Sequence, residues 1–161
     1  MNRRNVIGLL AAGLALAACG GQGAAPRGAG GGGPDVLAVA RSNGLDRFVR
    51  AVDSAGMTEA LSGPGPFTAF APTDRAIAAS SLGRLDGEDL QRALAYHVVP
   101  GLLSADFLEG VDVNHTTLLG SSLNTDGTGA ALRVNGAGVV RADLPASNGV
   151  VYAIDRVLTP R

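Results

Sequence analysis

Between Gly20 and Pro34 the chain packs eight glycines, two prolines and three alanines into fifteen residues. Such a stretch has no side chains to bury and the most backbone freedom to lose, so it reads as a linker with a random-coil span of roughly 20 Å. It divides the 161 residues into a short leader and a remainder, Asp35 to Arg161, of 127 residues. That remainder is enough for one domain with its own core, and too little for several. Gly28, Gly30 and Gly33 match the G-x-G-x-x-G spacing of a dinucleotide loop. No strand pattern leads into them and no helix pattern follows, so the match is a by-product of low complexity.

The leader carries Arg3 and Arg4 and then an apolar run from Val6 to Ala18, thirteen residues broken only by Gly8 and Gly13. That run is too short to cross about 30 Å of hydrocarbon and has the length of an export-signal core. It ends Leu16-Ala17-Ala18-Cys19-Gly20, which resembles the lipobox of bacterial lipoproteins. The resemblance implies cleavage before Cys19 and acylation of that residue. Two or three acyl chains, at about 0.8 kcal/mol per buried methylene, would keep the protein on a membrane surface. The expected organisation is therefore a signal peptide over 1–18, a lipidated cysteine and tether over 19–34, and a domain over 35–161 on the extracytoplasmic side of the cell envelope. Gly20 is not the Asp that retains many lipoproteins in an inner membrane, which favours an outer membrane where there is one. Arg3-Arg4-Asn5-Val6-Ile7 also resembles, loosely, a twin-arginine export signal.

Composition removes several classes of function. All 13 basic residues are Arg, they are scattered among 14 acids, and the net charge is −1. No basic stripe is present to neutralise phosphates, so nucleic acid is not an expected partner. One Cys and two His supply neither an internal disulfide nor a zinc ligand set.

Within the domain, the apolar spacing of Val36, Leu37, Val39 and Ala40, and of Leu45, Phe48, Val49, Val52 and Ala55, predicts two amphipathic helices broken at Asn43-Gly44, with Asp35 as an N-cap. Phe67 to Ala71 reads as a strand, Arg75 to Ser80 as a helix capped by Thr73 or Asp74, and Asp86 to Tyr96 as a further helix. After Pro100-Gly101 the pattern alternates. Strands are expected over Thr116–Leu119, Ser122–Thr125, Ala131–Asn135, Val139–Asp143 and Gly149–Leu158, with turns at Asp126-Gly127, Asn135-Gly136 and Asn148-Gly149. Helices early and strands late predict an α+β domain with a largely antiparallel sheet.

Three blocks together resemble the fasciclin (FAS1) domain. They are Gly65-Pro66-Phe67-Thr68-Ala69-Phe70-Ala71-Pro72-Thr73-Asp74, Tyr96-His97-Val98-Val99-Pro100-Gly101, and the closing segment that runs from Val134-Asn135 through Ala142-Asp143 and Ser147-Asn148-Gly149-Val150-Val151-Tyr152-Ala153-Ile154-Asp155 to Val157-Leu158-Thr159-Pro160. Ile77 stands where the family usually has Phe, and Tyr152 where it often has His. The resemblance implies a bent β-sandwich with helices packed against it, and a role in adhesion or extracellular interaction. On residue chemistry, Pro72, Thr73, Asp74, Asp143, Asn148, Gly149 and Asp155 read as structural. Asn148-Gly149 is expected to supply two positive-φ positions of a type I′ turn. Asp143 and Asp155, on apolar strands, are expected to accept backbone N–H bonds.

Tyr96 and His97 are the candidate partner-binding pair, because the Tyr-His of animal members of the family is associated with receptor binding. The alternative is that His97, at a helix end, ties two segments together through its ring. Catalysis has little to build on: the imidazoles are His97 and His115, no G-x-S-x-G elbow is present, and Cys19 is assigned to lipid. Asp112-Val113-Asn114-His115 offers two oxygens and a nitrogen to a metal but reads as a polar loop, and Asn124-Thr125-Asp126-Gly127 lacks the closing Glu of a calcium loop. Neither a metal nor a cofactor is expected. The sequence thus predicts a lipid-anchored adhesion or protein-binding module, with a protein or matrix partner, and not an enzyme. The alternative is a carrier or sensor of an apolar small molecule, held in a Leu, Val and Phe-lined cavity between helices and sheet.

Overall fold

Asp35 caps the first helix of the described residues: its carboxylate accepts the Ala38 N–H at 2.8 Å at the start of α1, Val36–Ser42. The computed structural model describes residues 33–160. The signal-peptide, Cys19 and tether assignments over 1–32 lie outside the described residues. Gly44, at φ +75°, breaks α1 from α2, Asp46–Ser54, where the apolar spacing changes. A third short helix that the pattern does not announce, α3, Thr58–Ser62, follows the positive-φ Gly56. The chain then enters β1, Phe67–Pro72. Next come α4, Asp74–Ala79, a single 3-10 turn over Leu82–Arg84, and α5, Gly87–Tyr96. Beyond them lie β2, Val98–Pro100, a one-turn α6, Ala105–Leu108, and β3 to β7: Asp112–Thr116, Ser122–Asp126, Arg133–Val134, Ala137–Ala146 and Gly149–Ile154.

The seven strands form one sheet in the order β2-β1-β7-β6-β5-β4-β3, antiparallel except where β1 runs parallel to β7. The sheet folds back on itself along β6. This ten-residue strand loses register at Val139/Arg141 and at Arg141/Leu144, and such bulges bend and twist a strand. The two ends of the sheet meet, with the Leu118 N–H, just past β3, donating to the Val98 carbonyl in β2 at 2.8 Å. The result is the expected bent sandwich, with the helices gathered mostly in the N-terminal half.

Two cores follow from the strand period of two. On β1 and β7, Ala69, Ala71, Val151 and Ala153 face the helices, where they meet Phe48, Val49, Leu61 and Leu94. The alternate residues Phe70, Val150, Tyr152 and Ile154 face inward between the halves of the bent sheet, against Leu108, Leu123 and Val134. Both faces of the two central strands are covered. All six residues of β7 are buried.

Several expectations are corrected. Asn148 and Gly149 do not occupy the left-handed region; the positive-φ pair lies at Asn135 (φ 48°) and Gly136 (φ 82°), in the β5–β6 turn. Asn148 is instead buried, and its amide bridges elements: Oδ1 accepts the Val36 N–H at 2.9 Å, while Nδ2 donates to the Leu61 and Gly63 carbonyls at 2.7 and 3.0 Å. Gly149 is needed for space, since a Cβ there would overlap the Phe67 carbonyl where β1 and β7 begin side by side. Asp143 accepts no backbone N–H among the described residues; it is exposed at the second bulge with φ 53°, where no buried donor is needed to offset its charge. Asp155 behaves as expected and accepts the Gly138 N–H at 2.9 Å. Asp112 to His115 is a strand and not a loop, and the strand expected over Thr116–Leu119 begins and ends earlier. Its alternation of polar residues on an edge hides the pattern from an apolar count.

Replacing Asn148 by Ala strands one buried N–H and two carbonyls, each costing about 1 kcal/mol or more. Asn148→Ala is therefore expected to lose about 3 kcal/mol in urea unfolding, and a loss below about 1 kcal/mol would show that water replaces the amide.

Candidate functional site

The two candidate partner-binding side chains sit in the interior. Tyr96 is 1% exposed and His97 0%. The Tyr96 hydroxyl donates to the Ser122 carbonyl at 2.9 Å and accepts from Asn135 Nδ2 at 2.6 Å, joining α5 to the second half of the sheet. His97 is the C-cap of α5. The Leu158 N–H donates to its Nε2 at 2.9 Å, so the ring proton is on Nδ1, which donates to the Ala93 carbonyl at 2.6 Å. A partner reaches neither ring in this conformation. Direct contact by Tyr96 and His97 is corrected on that ground, and their bonds fasten the end of α5 and the C-terminal tail to the sheet.

Burial in an apolar core penalises the charged imidazolium and lowers His97 to about 4, against the opposing pull of its bond to Ala93. Below the ordinary imidazole value of 6.5, the unfolded chain takes up a proton that the folded chain refuses. Stability from this site is complete above pH 6.5 and falls between 6.5 and 4, by up to about 3 kcal/mol. His115, lowered by partial burial, acts in the same direction. The His97 ring resonances are expected to stay in the neutral form until close to pH 4 while the melting temperature falls; titration near 6.5 in the folded chain would contradict this.

The motif Pro72-Thr73-Asp74 divides its work among three elements. Pro72 pairs with Ile154 at the end of β1 and is buried. The Thr73 hydroxyl accepts the Ala76 N–H and caps α4. Asp74 caps a different helix: its Oδ1 accepts the Arg47 N–H at 2.9 Å, at the start of α2, whose own N-cap Leu45 has no side chain to offer. That bond brings α4 against α2 and shapes the space beside them.

The space is a half-open groove of about 560 Å³ between α2, α4, the 3-10 turn and α5. Arg47, Arg50, Ala51 and Ser54 line one wall, at the i, i+3, i+4, i+7 spacing of a single helix face. Ile77, Leu82, Leu85 and Leu90 form the apolar side, and Asp46, Asp74 and Asp86 lie at helix starts around the mouth. Neither Arg47 nor Arg50 has a carboxylate within salt-bridge distance; among the described residues the ion pair is Arg41–Asp53 at 3.2 Å. The size falls in the range of ligand and partner sites. The sequence does carry the basic pair at i, i+3, but only the packing of α4 and α5 beside it makes a groove.

Asp112, Asn114 and His115 do not converge on a metal. Asp112 and Asn114 share the outer face of β3 with Asn124 opposite, while His115 points to the other face and bonds the Thr125 hydroxyl at 2.9 Å. The groove lies among helices and carries charged side chains, and is not the Leu, Val and Phe-lined cavity between helices and sheet that the carrier alternative calls for.

A model of the fasciclin domain matches residues 43–160. Protein sll1483 of Synechocystis is 38% identical over 133 residues, covering 78% of this chain and 73% of that one. The cell surface glycolipoprotein MPB83 of Mycobacterium bovis is 36% identical, over 78% of this chain and 54% of its own length. The transforming growth factor-beta-induced protein ig-h3 of Sus scrofa is 36% identical, with 73% of this chain matching 18% of that protein. The FAS1 domain pair of the insect cell adhesion molecule fasciclin I superposes with a TM-score of 0.57 at 22% identity, over 73% of this chain and 46% of that one, and shares its fold. The chain belongs to the fasciclin domain family.

Proposed function

We propose that this protein is a lipid-anchored fasciclin domain that works outside the cytoplasm as an adhesion or protein-binding module, with the groove beside α2 as its docking site. The groove carries the reading: it combines an apolar side with two arginines that form no salt bridge and three aspartates around them, a mixed charged and apolar surface that suits the side chains of a protein partner. A purely apolar ligand would leave those guanidiniums facing it, which disfavours the carrier alternative. Relatives described as a cell surface glycolipoprotein and, at the level of fold, a cell adhesion molecule are in keeping with a surface role. A non-enzymatic role is supported by the state of the imidazoles, since both have ring nitrogens engaged within the fold. Membrane attachment in this reading comes from Cys19, and no helix among the described residues is long and apolar enough to cross a membrane.

Two experiments test the proposal. Cys19→Ser is expected to move the protein from the membrane fraction to the soluble fraction, and retention in the membrane would overturn the anchor. The soluble Cys19→Ser chain, used as bait against envelope proteins, is expected to capture a partner that the same chain with Arg47→Glu and Arg50→Glu binds about tenfold or more weakly. Both arginines are exposed, so the fold tolerates the exchange. Equal capture by the two baits would remove the groove from the reading.

A further inference from the structure

The end of the sheet where β1 and β7 begin is built from loops without a charged residue. Ser62–Pro66, Pro100–Ser104 and Pro145–Asn148 contain no Asp, Glu or Arg. They are held together by the bonds Phe67 N–H to Asn148 O, Gly101 N–H to Pro66 O, and Ser147 N–H to Pro34 O, at 3.0, 2.9 and 2.8 Å. The exposed residues there include Pro34, Pro64, Pro66, Pro100 and Pro145, and Leu102, which is 60% exposed. Proline rings present apolar surface without an N–H donor to satisfy. The flanking acids are Asp35, whose carboxylate turns to the Ala38 N–H, Glu59, a turn back on α3, and Asp106, on α6. The opposite end of the same strands is different. Asp74, Arg75, Asp155 and Arg156 follow directly on β1 and β7.

Pro34 is where the chain from Cys19 enters the domain, and it enters at the uncharged end. The fourteen residues Gly20 to Gly33 cannot span more than about 50 Å even fully drawn out. Acylation at Cys19 would hold this end nearest to lipid, at a high effective concentration that lets a weak apolar contact form. An uncharged surface loses little hydration on entering the headgroup region, whereas the charged end would lose much.

We infer that the uncharged end, with Leu102 at its tip, is the membrane-facing surface of the domain and rests on the lipid headgroups, so that the charged end points outward. The inference rests on the proposed anchor at Cys19 and assigns an orientation that the anchor alone does not supply.

The test uses the full lipidated chain in vesicles of phosphatidylethanolamine and phosphatidylglycerol that contain a nitroxide-labelled lipid. A fluorophore is attached in turn to Leu102→Cys and to Arg156→Cys, both at exposed positions. The expected result is that the label at 102 loses most of its emission to the lipid quencher while the label at 156 keeps its own. Equal quenching at the two positions, or none at either, on vesicle-bound protein overturns the orientation and leaves the anchor standing. Shielding of the label at 102 from an aqueous quencher in the absence of lipid assigns the surface to a second copy of the chain and also overturns it. If Cys19→Ser remains in the membrane fraction, the anchor itself fails and the orientation fails with it.

Discussion

The amide of Asn148 holds the fold at the point where its parts meet. It serves the first N–H of α1, the carbonyls at the end of α3, and through its own backbone oxygen the first N–H of β1. An amide is the one neutral side chain with both an acceptor and two donors in a plane, and here all are used. Asp at this place would bring a negative oxygen against two carbonyls, and Ser could not reach three partners. Gly149 and Gly65 complete the junction by their lack of a Cβ, since a methyl at either would overlap a backbone carbonyl of the neighbouring segment. The parallel pairing of β1 with β7 begins at this junction and extends to Pro72 and Ile154.

From that pairing follows the division of the interior into two cores. The central strands spend one face on the helices and the other on the folded-back half of the sheet, which is why β7 is apolar throughout and does not alternate. Burying the polar groups of Tyr96, His97 and Tyr152 inside the second core is tolerable because each finds a carbonyl, an N–H or an amide within 3 Å. The conspicuous Tyr-His pair is therefore a fastening. Tyr152, where the family often has His, does similar work by donating to the Leu103 carbonyl at 2.6 Å, and burial raises its hydroxyl well above the ordinary phenol range.

Function is left to the outside. Among the described residues every buried polar side chain is hydrogen-bonded, and such an interior leaves recognition to the relief and charge of the surface. Three surfaces stand out: the groove with its arginines, the uncharged end beside Pro34, and the charged end opposite. Asp74 joins the helix packing to the groove, for it caps α2 through the Arg47 N–H and also lines the groove.

Much of the fold is legible in the sequence. Helix starts at Asp35 and Thr73, the break at Asn43-Gly44, the apolar strands β1 and β7 and the family blocks are all written within ten residues of themselves, because capping, periodicity and turn geometry are local. The leader and linker expectations rest on the same local grounds, and over 1–32 they lie outside the described residues. The polar edge strand β3 was missed because burial, the source of the strand signal, is small at an edge. What the sequence could not decide was partnership at a distance. Asn148 reads as a turn residue because Asn-Gly usually is one, yet its partners lie 112 and 87 positions away, and those of Asp74 and His97 lie 27 and 61 away. Likewise the groove and the uncharged end are each assembled from segments that no linear pattern links. The sequence by itself determined which stretches become helix and strand, since those depend on neighbours along the chain. Only the tertiary structure decided which side chains are fastenings and which surfaces face outward, since that depends on what packing brings within 3 Å.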